Sequence, residues 1–149
     1  MSIESSDSRF ATSVVPNLSV RRGTRAVEFY KNAFGAVEIS RITAPGGAIV
    51  AEMGIDGARF FVADESPENQ NFSPDALGGT SVRIDLLVAD PDGMQKRAIQ
   101  AGATEIFPVA DKPFGFRMGR VVDPFGHHWL IARPLQSKSP LGSKSSNPL

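Results

Sequence analysis

The 149-residue chain contains no cysteine, two histidines, one tryptophan and one tyrosine. The lack of cysteine excludes disulfides, thiolate metal sites and thiol catalysis. No apolar run approaches the ~20 residues that span a bilayer. Basic and acidic residues both number 16, so no excess charge indicates a nucleic-acid or membrane partner. The polar start, MSIESSDSRF, is unlike a secretory signal, and we expect a cytoplasmic protein.

Both ends of the chain differ in composition from its centre. Residues 1–12 are polar without a period, and residues 135–149 are rich in Ser, Lys, Pro and Gly. Such segments bury too little apolar surface to offset their ordering entropy. We therefore predict a disordered segment over 1–12, a folded domain over 13–134 and a flexible tail over 135–149.

The folded part contains an internal repeat. GAVEI at 35–39 returns as GATEI at 102–106, IDGARFFVA at 55–63 as PFGHHWLIA at 124–132, and NLSV at 17–20 as DLLV at 85–88. The offsets are 67, 69 and 68 residues, in the same order along the chain. This order favours two copies of one unit over chance similarity of short apolar strands. The copies are module one (13–64) and module two (81–134), joined by a linker (65–80).

Each copy has the local signals of a βαβββ unit. The first strands, VVPNLSV and SVRIDLLV, alternate apolar and polar residues. A helical period follows in each copy, ended by Gly35 or Gly102. In the second helix Asp90 can cap the free amides, and Pro91 suits the first helical position. Further strands are predicted near 36–43, 47–53 and 58–63, and near 104–109, 117–122 and 127–132.

Tandem βαβββ modules resemble the vicinal oxygen chelate superfamily, which includes glyoxalase I, bleomycin-resistance proteins and extradiol dioxygenases. The helix AVEFYKNAFGA matches that family's first-helix signature, and DPFGHHW matches its late hairpin in the form typical of the PhnB-like branch. The resemblance covers nearly all of residues 14–134. It implies an α+β fold in which curled mixed sheets enclose a cleft, and it implies a homodimer. This fold hosts unrelated chemistries, so it does not by itself imply one activity.

The resemblance also implies where a cleft metal would be held. The corresponding positions are Val15, Phe61, Arg83 and Leu130, on the first and last strand of each module. Aliphatic and aromatic side chains cannot ligate a metal, and a guanidinium repels a cation. We therefore expect no cleft metal and no cofactor, unless a one-residue slip in strand register has misplaced these positions.

The two histidines stand side by side near the start of the last strand. Strand side chains alternate, so His127 and His128 should point to opposite faces and cannot chelate one ion together. His127 shares a face with Trp129 and Ile131, which favours a structural hydrogen bond near the hairpin. His128 shares the cleft face with Leu130, where it either lines the pocket or reaches only its rim.

Other polar side chains are candidates for the cleft. Arg83 and Asp85 share a face, where Arg83 could anchor an anion. An internal Arg–Asp pair or a solvated strand end is favoured, because buried charges need partners. Glu52 could act as a general base if buried, although an exposed carboxylate is favoured. Phe61, Asn17 and Ser19 together fit a mainly apolar pocket that contains a few polar groups. The candidate ligand-binding set is Val15, Asn17, Glu52, Phe61, Arg83, His128 and Leu130.

Three further features have simpler interpretations. We interpret Arg117 and Arg120 as residues of a solvated strand rather than as an anion clamp. We expect Asp123 to hold the turn before Pro124. The linker exceeds the usual connection length, which favours a flap or an interface.

Three functions agree with these observations. The chain could be a metal-free binding protein that sequesters an amphipathic small molecule, apolar or aromatic with a possible anionic group. It could instead be a lyase, isomerase or dioxygenase-like enzyme of the superfamily, with a non-standard or metal-free site. It could finally be a structural or interaction protein with a vestigial cleft. We rank them in this order, and the sequence does not identify the ligand.

Overall fold

The computed structural model describes residues 10–135, so most of the two terminal segments predicted above lies outside the described residues. Module one consists of β1 (Asn17–Val20), α1 (Gly23–Phe34), β2 (Val37–Thr43), β3 (Ile49–Ile55) and β4 (Ala58–Asp64). Module two consists of β5 (Arg83–Leu87), α3 (Pro91–Ala101), β6 (Thr104–Asp111), β7 (Phe116–Val122) and β8 (His128–Pro134). The linker carries a 3-10 turn (Pro67–Asn69) and the one-turn helix α2 (Pro74–Leu77).

The two sheets have the same topology. The strand orders are β1-β4-β3-β2 and β5-β8-β7-β6. The first strand of each module runs parallel to the last, and the remaining pairs are antiparallel. This confirms the predicted α+β fold of tandem βαβββ units, and each predicted strand lies within two residues of an observed one. The paired residues Asn17–Phe61 and Asp85–Leu130 show that the repeat extends to the strand register.

The first turn of each helix is capped differently in the two modules. In module two the cap is the predicted local residue, and in module one it is a side chain from a distant strand. Asp90 caps α3 by accepting a bond from the Gly93 amide at 3.0 Å. Helix α1 has no side-chain cap of its own; Asp64 on β4 accepts from the Gly23 amide at 2.7 Å. A Cβ at position 23 would lie 2.8 Å from that carboxylate and 2.7 Å from Ile49, so the approach requires glycine.

One apolar core joins the two modules. Helices α1 and α3 pack against each other, and buried side chains from both sheets form a single cluster. Its centre is aromatic and combines Phe29, Tyr30, Phe34 and Phe60 with Phe125 and Trp129. The helices cover one face of each sheet, and the opposite, helix-free faces carry Asn17 and Phe61 in module one and Asp85 and Leu130 in module two.

The linker and Arg117 both make local contacts. In the linker, Ser66 pairs with Asn71 and the buried Ser73 hydroxyl donates to Glu65 at 2.6 Å, and its role as a flap or an interface stays a prediction. Arg117 is partly exposed, as the sequence indicated, and its guanidinium binds Asp92 at 2.7 Å and Asp111 at 2.9 Å in exposed ion pairs. Among residues 10–135, no helix is long and apolar enough to cross a membrane.

Candidate functional site

A cavity of about 570 Å³ lies where β1 and β5 face each other along their unpaired edges. Its volume is within the usual range for small-molecule sites. Side chains from both modules and from the linker line it together. They are Val14, Pro16, Asn17, Leu18, Ser19, Phe72, Thr80, Val82, Arg83, Ile84, Asp85 and His127.

The polar lining of this cavity is only partly paired. The His127 Nε2 atom donates to the Ser19 carbonyl at 2.9 Å, a bond that joins the two modules. Arg83 and Asp85 are both exposed, and their side chains make no hydrogen bond or ion pair with any residue between 10 and 135. The internal Arg83–Asp85 pair considered from the sequence is therefore not formed. The Arg83 guanidinium is available to an incoming acceptor.

The sheet faces beside the cavity carry two equivalent rows of side chains. In module one, Asn17, Phe61 and Glu52 lie in register across β1, β4 and β3. In module two, Asp85, Leu130 and Arg120 occupy the equivalent positions across β5, β8 and β7. Phe61 and Leu130 are half-buried, so each row presents an apolar side chain between polar neighbours.

The structure places the seven predicted site residues in two groups. Asn17 and Arg83 line the cavity itself. Val15 stands between the lining residues Val14 and Pro16 but is not part of the lining. The others lie on the helix-free faces outside the lining, namely Glu52, Phe61, His128 and Leu130. Ligand binding by any of the seven stays a prediction.

Glu52 is neither an exposed carboxylate nor a free base. Its side chain is 16% exposed and accepts from the Arg59 guanidinium at 2.8 Å. This ion pair occupies the carboxylate that a proton-transfer role would need. The expectation of an exposed carboxylate at Glu52 was therefore wrong, and a role as a general base stays a prediction.

His128 is held by a neighbouring arginine. Arg120 Nε donates to His128 Nδ1 at 3.1 Å. A guanidinium only donates, so this bond requires a lone pair on Nδ1 and a neutral ring that carries its proton on Nε2. Burial, and then the Arg120 charge, lower the pKa of His128 below its ordinary value. The structure therefore presents a neutral imidazole with one free N–H on the helix-free face.

Sequence reasoning found some of the lining and missed the rest. The hydrogen bond expected for His127 exists, but it reaches across to β1 rather than closing the local hairpin. Phe72 and Thr80, in the linker, were not singled out, and the linker's length was the only signal for them. Pocket lining by a distant loop depends on tertiary packing, which local patterns do not record.

Asp123 accepts hydrogen bonds from groups outside its own turn as well as within it. Its Oδ1 accepts from the amides of Phe125 and His127 at 2.9 and 3.0 Å, which confirms the expected turn role. Its Oδ2 also accepts from Trp129 Nε1 at 2.9 Å and from the hydroxyl of Tyr30 on α1. This buried carboxylate therefore links module two to the helix of module one.

The described chain offers no cluster of metal ligands. Within residues 10–135, no group of three or more His, Asp or Glu side chains is placed to hold an ion. The absence of a cleft metal nevertheless stays a prediction for elemental analysis.

Comparisons with known proteins find relatives by sequence. Residues 19–65 match the family model for the glyoxalase At5g48480-like N-terminal domain. An uncharacterized protein of Mycobacterium tuberculosis (strain H37Rv) is 39% identical over 125 residues, which cover 81% of this chain and 74% of that protein. Uncharacterized protein At5g48480 of Arabidopsis thaliana is 33% identical and matches 72% of this chain and 69% of its own length.

Solved structures share the fold. TioX from Micromonospora sp. ML1 superposes with a TM-score of 0.67 at 28% identity, covering 84% of this chain and all of that one. A glyoxalase-related enzyme from Fulvimarina pelagi gives a TM-score of 0.61 at 22% identity, covering 83% of this chain and 88% of that one. The second likeness shows the fold alone.

Proposed function

The chain belongs to the glyoxalase-like vicinal oxygen chelate superfamily, and from that premise we propose that it is a metal-free small-molecule-binding protein. Its ligand is an amphipathic molecule with an apolar or aromatic body and an anionic or strongly accepting group. The observation that carries this proposal is the cavity between β1 and β5, where the unpaired Arg83 stands among apolar side chains.

The lining supports this ligand class by its composition. Val14, Leu18, Phe72, Val82 and Ile84 supply apolar contact area. Burial of such an area on binding favours association by about 25 cal/mol per Å². A few polar groups then fix the orientation of the ligand, as in most small-molecule sites.

Two fluorescent probes with the same ring system test the proposal. N-phenyl-1-naphthylamine is neutral, and 1-anilinonaphthalene-8-sulfonate adds a sulfonate. We expect both to bind the wild type, and Ser19→Trp, which fills the cavity with an indole, to abolish both signals. Ser40→Trp on β2, at the far edge of the same sheet, is the matched control and should bind both probes. Equal binding by the Ser19→Trp variant would overturn the cavity as the site.

A superfamily enzyme with a non-standard or metal-free site is the second candidate. The observation in its favour is the neutral His128 beside Arg120, since an imidazole with one free N–H can donate a hydrogen bond to a substrate oxygen that gains negative charge during a reaction. Lyase, isomerase or dioxygenase-like turnover that is lost in His128→Gln, without added metal, would favour this candidate. Elemental analysis of protein purified without chelator tests the metal-free premise shared by both.

We also propose a homodimer, because the sheets leave apolar surface and strand edges uncovered. Val37 and Ile42 on the edge strand β2 are 61% and 72% exposed, and Val82 beside β5 is 64% exposed. Free edges and apolar patches of this kind are usually covered. Light scattering at micromolar concentration should give twice the chain mass of 15.9 kDa. A stable monomer would contradict the proposal.

The finer assignments rest on sequence features alone. The DPFGHHW hairpin supports a place in the PhnB-like branch, and we further propose a cytoplasmic location. Phylogenetic placement and fractionation of the native host test these two proposals.

A further inference from the structure

The two helix-free faces differ in charge at equivalent positions. In module one, Arg59 on β4 binds Glu52 on β3, which is the partner of Phe61 in the strand register. Arg120 occupies the equivalent position to Glu52, because it is the partner of Leu130 as Glu52 is of Phe61. His128, two residues before Leu130, occupies the equivalent position to Arg59, two residues before Phe61. Both modules therefore have a bonded pair of side chains at these two positions. In module one the pair is Arg59 and Glu52, a cation and an anion, and in module two it is Arg120 and His128, a cation and a neutral ring.

Module two therefore carries a half-buried cation without a counter-anion. Arg21, Arg41 and Arg117 each bind a carboxylate, as Arg59 does. Arg120 makes its hydrogen bond to the His128 ring and has no ion pair with the described residues. A partly desolvated charge without a partner is unfavourable. An acceptor supplied from outside the chain would remove that cost.

Neither Asp85 nor Asp123 neutralises Arg120. Asp85 is on the same face, but it belongs to β5, and Leu130 of β8 lies between Asp85 and Arg120 in the strand register. Asp85 makes no ion pair with residues 10–135. Asp123 is buried and already accepts four hydrogen bonds. Neighbouring strands are about 4.8 Å apart, so an anion above β8 could reach donors on both β5 and β7.

Three donor groups surround that position. Arg83 is directly opposite His128 in the β5–β8 register, and Arg120 approaches from β7. The Arg120–His128 bond fixes the imidazole tautomer, which leaves Nε2–H as the third donor. The half-buried Leu130 lies beside them and offers apolar contact.

We propose that Arg83, Arg120 and His128 form an oxyanion subsite that binds the carboxylate, sulfonate or phosphonate group of a ligand whose apolar body enters the neighbouring cavity. This inference rests on the proposed small-molecule binding function. It narrows the ligand class to apolar or aromatic oxyanions and assigns a role to Arg120, which the sequence had left as a solvated strand residue.

The test compares the affinities of the sulfonated and neutral probes defined above across three charge-removing variants. Arg83→Gln and Arg120→Gln should each weaken 1-anilinonaphthalene-8-sulfonate binding by about tenfold, because each removes a charge-assisted hydrogen bond. Both should leave N-phenyl-1-naphthylamine binding within about twofold. Arg25→Gln, an exposed position on α1, removes the same charge away from the cleft and should change neither affinity.

Two variants separate the roles within the subsite. Arg120→Lys keeps a positive charge and should retain part of the sulfonate affinity. His128→Gln removes the imidazole but keeps a side-chain amide N–H, and it should weaken the sulfonate probe less than Arg120→Gln does. Circular dichroism of each variant confirms that the fold is intact, and Arg83→Gln, at an exposed position, carries the test if Arg120→Gln does not fold.

The outcomes distinguish the two proposals. Selective loss of the sulfonated probe in Arg83→Gln and Arg120→Gln supports the subsite. Equal affinity for both probes, unchanged in these variants, overturns the subsite and leaves small-molecule binding intact. Failure of both probes to bind the wild type overturns the proposed function and the subsite together.

Discussion

The bond between Tyr30 and Asp123 should contribute strongly to the stability of this fold. Tyr30 is fully buried on α1, and its hydroxyl donates to an Asp123 carboxylate that is 4% exposed. The two residues are 93 positions apart and belong to different modules. Tyr30→Phe removes one donor from a buried carboxylate and changes little else in the packing.

The expected cost follows from the partners that remain. After the substitution, Asp123 Oδ2 keeps only the Trp129 indole N–H, while Oδ1 keeps its two backbone amides. A hydrogen bond to a charged group contributes about 1.5–3 kcal/mol, and an unsatisfied buried acceptor adds to the loss. We expect Tyr30→Phe to lower the free energy of unfolding by about 2 kcal/mol. For a domain of this size, that corresponds to a Tm lower by roughly 6–8 °C.

The assay has a built-in reporter. Trp129 is the only tryptophan in the chain and donates to the same carboxylate, so its fluorescence reports on this network during urea unfolding. Protein concentration is held constant, because dimerisation would couple stability to it. The midpoint should fall while the m-value stays unchanged.

A double-mutant cycle with Asp123→Asn supplies the control and the refutation. If the bond is energetically important, the two substitutions together cost clearly less than the sum of their separate costs. A Tyr30→Phe loss below 0.5 kcal/mol, roughly the level of an ordinary surface substitution, would refute the reasoning. So would costs that simply add.

The same network predicts behaviour at alkaline pH. Burial, and then the Asp123 charge, hold the pKa of Tyr30 well above its ordinary value of 10.0. The unfolded chain therefore loses this proton first, and the stability contributed by the neutral phenol decreases as pH rises above about 10. Wild type should lose stability there more steeply than Tyr30→Phe, and parallel curves would contradict this.

Three further predictions concern module two. Gly119→Ala should lower the free energy of unfolding by about 2 kcal/mol, because a Cβ would lie 2.2 Å from the Gln95 amide oxygen and would displace the buried amide from its two hydrogen bonds. Urea unfolding measures this loss, and a smaller loss in a Gln95→Ala background would confirm its cause. Because the pKa of His128 is lowered in the fold, stability should decline as pH falls below about 6.5, where the unfolded ring takes up its proton first; a wild-type curve that matches His128→Gln would contradict this. Arg117→Met should cost less than about 1 kcal/mol and less still in 0.5 M salt, since the ion pair with Asp92 is largely exposed; a salt-independent loss would indicate packing instead.

The sequence determined the local architecture of each module. Asp90 and Pro91 start α3 where their chemistry predicts, and Gly35, with φ of 68°, ends α1. The strand alternation and the offset of the repeat correctly indicated two βαβββ units, and the family resemblance placed Phe61 and Leu130 at equivalent positions of their last strands. These features depend on residues close together in the chain, so a single sequence records them.

The tertiary structure decided the partners of the polar groups. Helix α1 is capped by Asp64 from β4, Glu52 is neutralised by Arg59, and Arg120 meets His128 rather than a carboxylate. The cavity exists only because α1–α3 packing brings the free edges of β1 and β5 opposite each other. Periodicity shows which face a side chain is on, but its partner depends on which strands and modules become neighbours. That choice is made by long-range packing of the shared core.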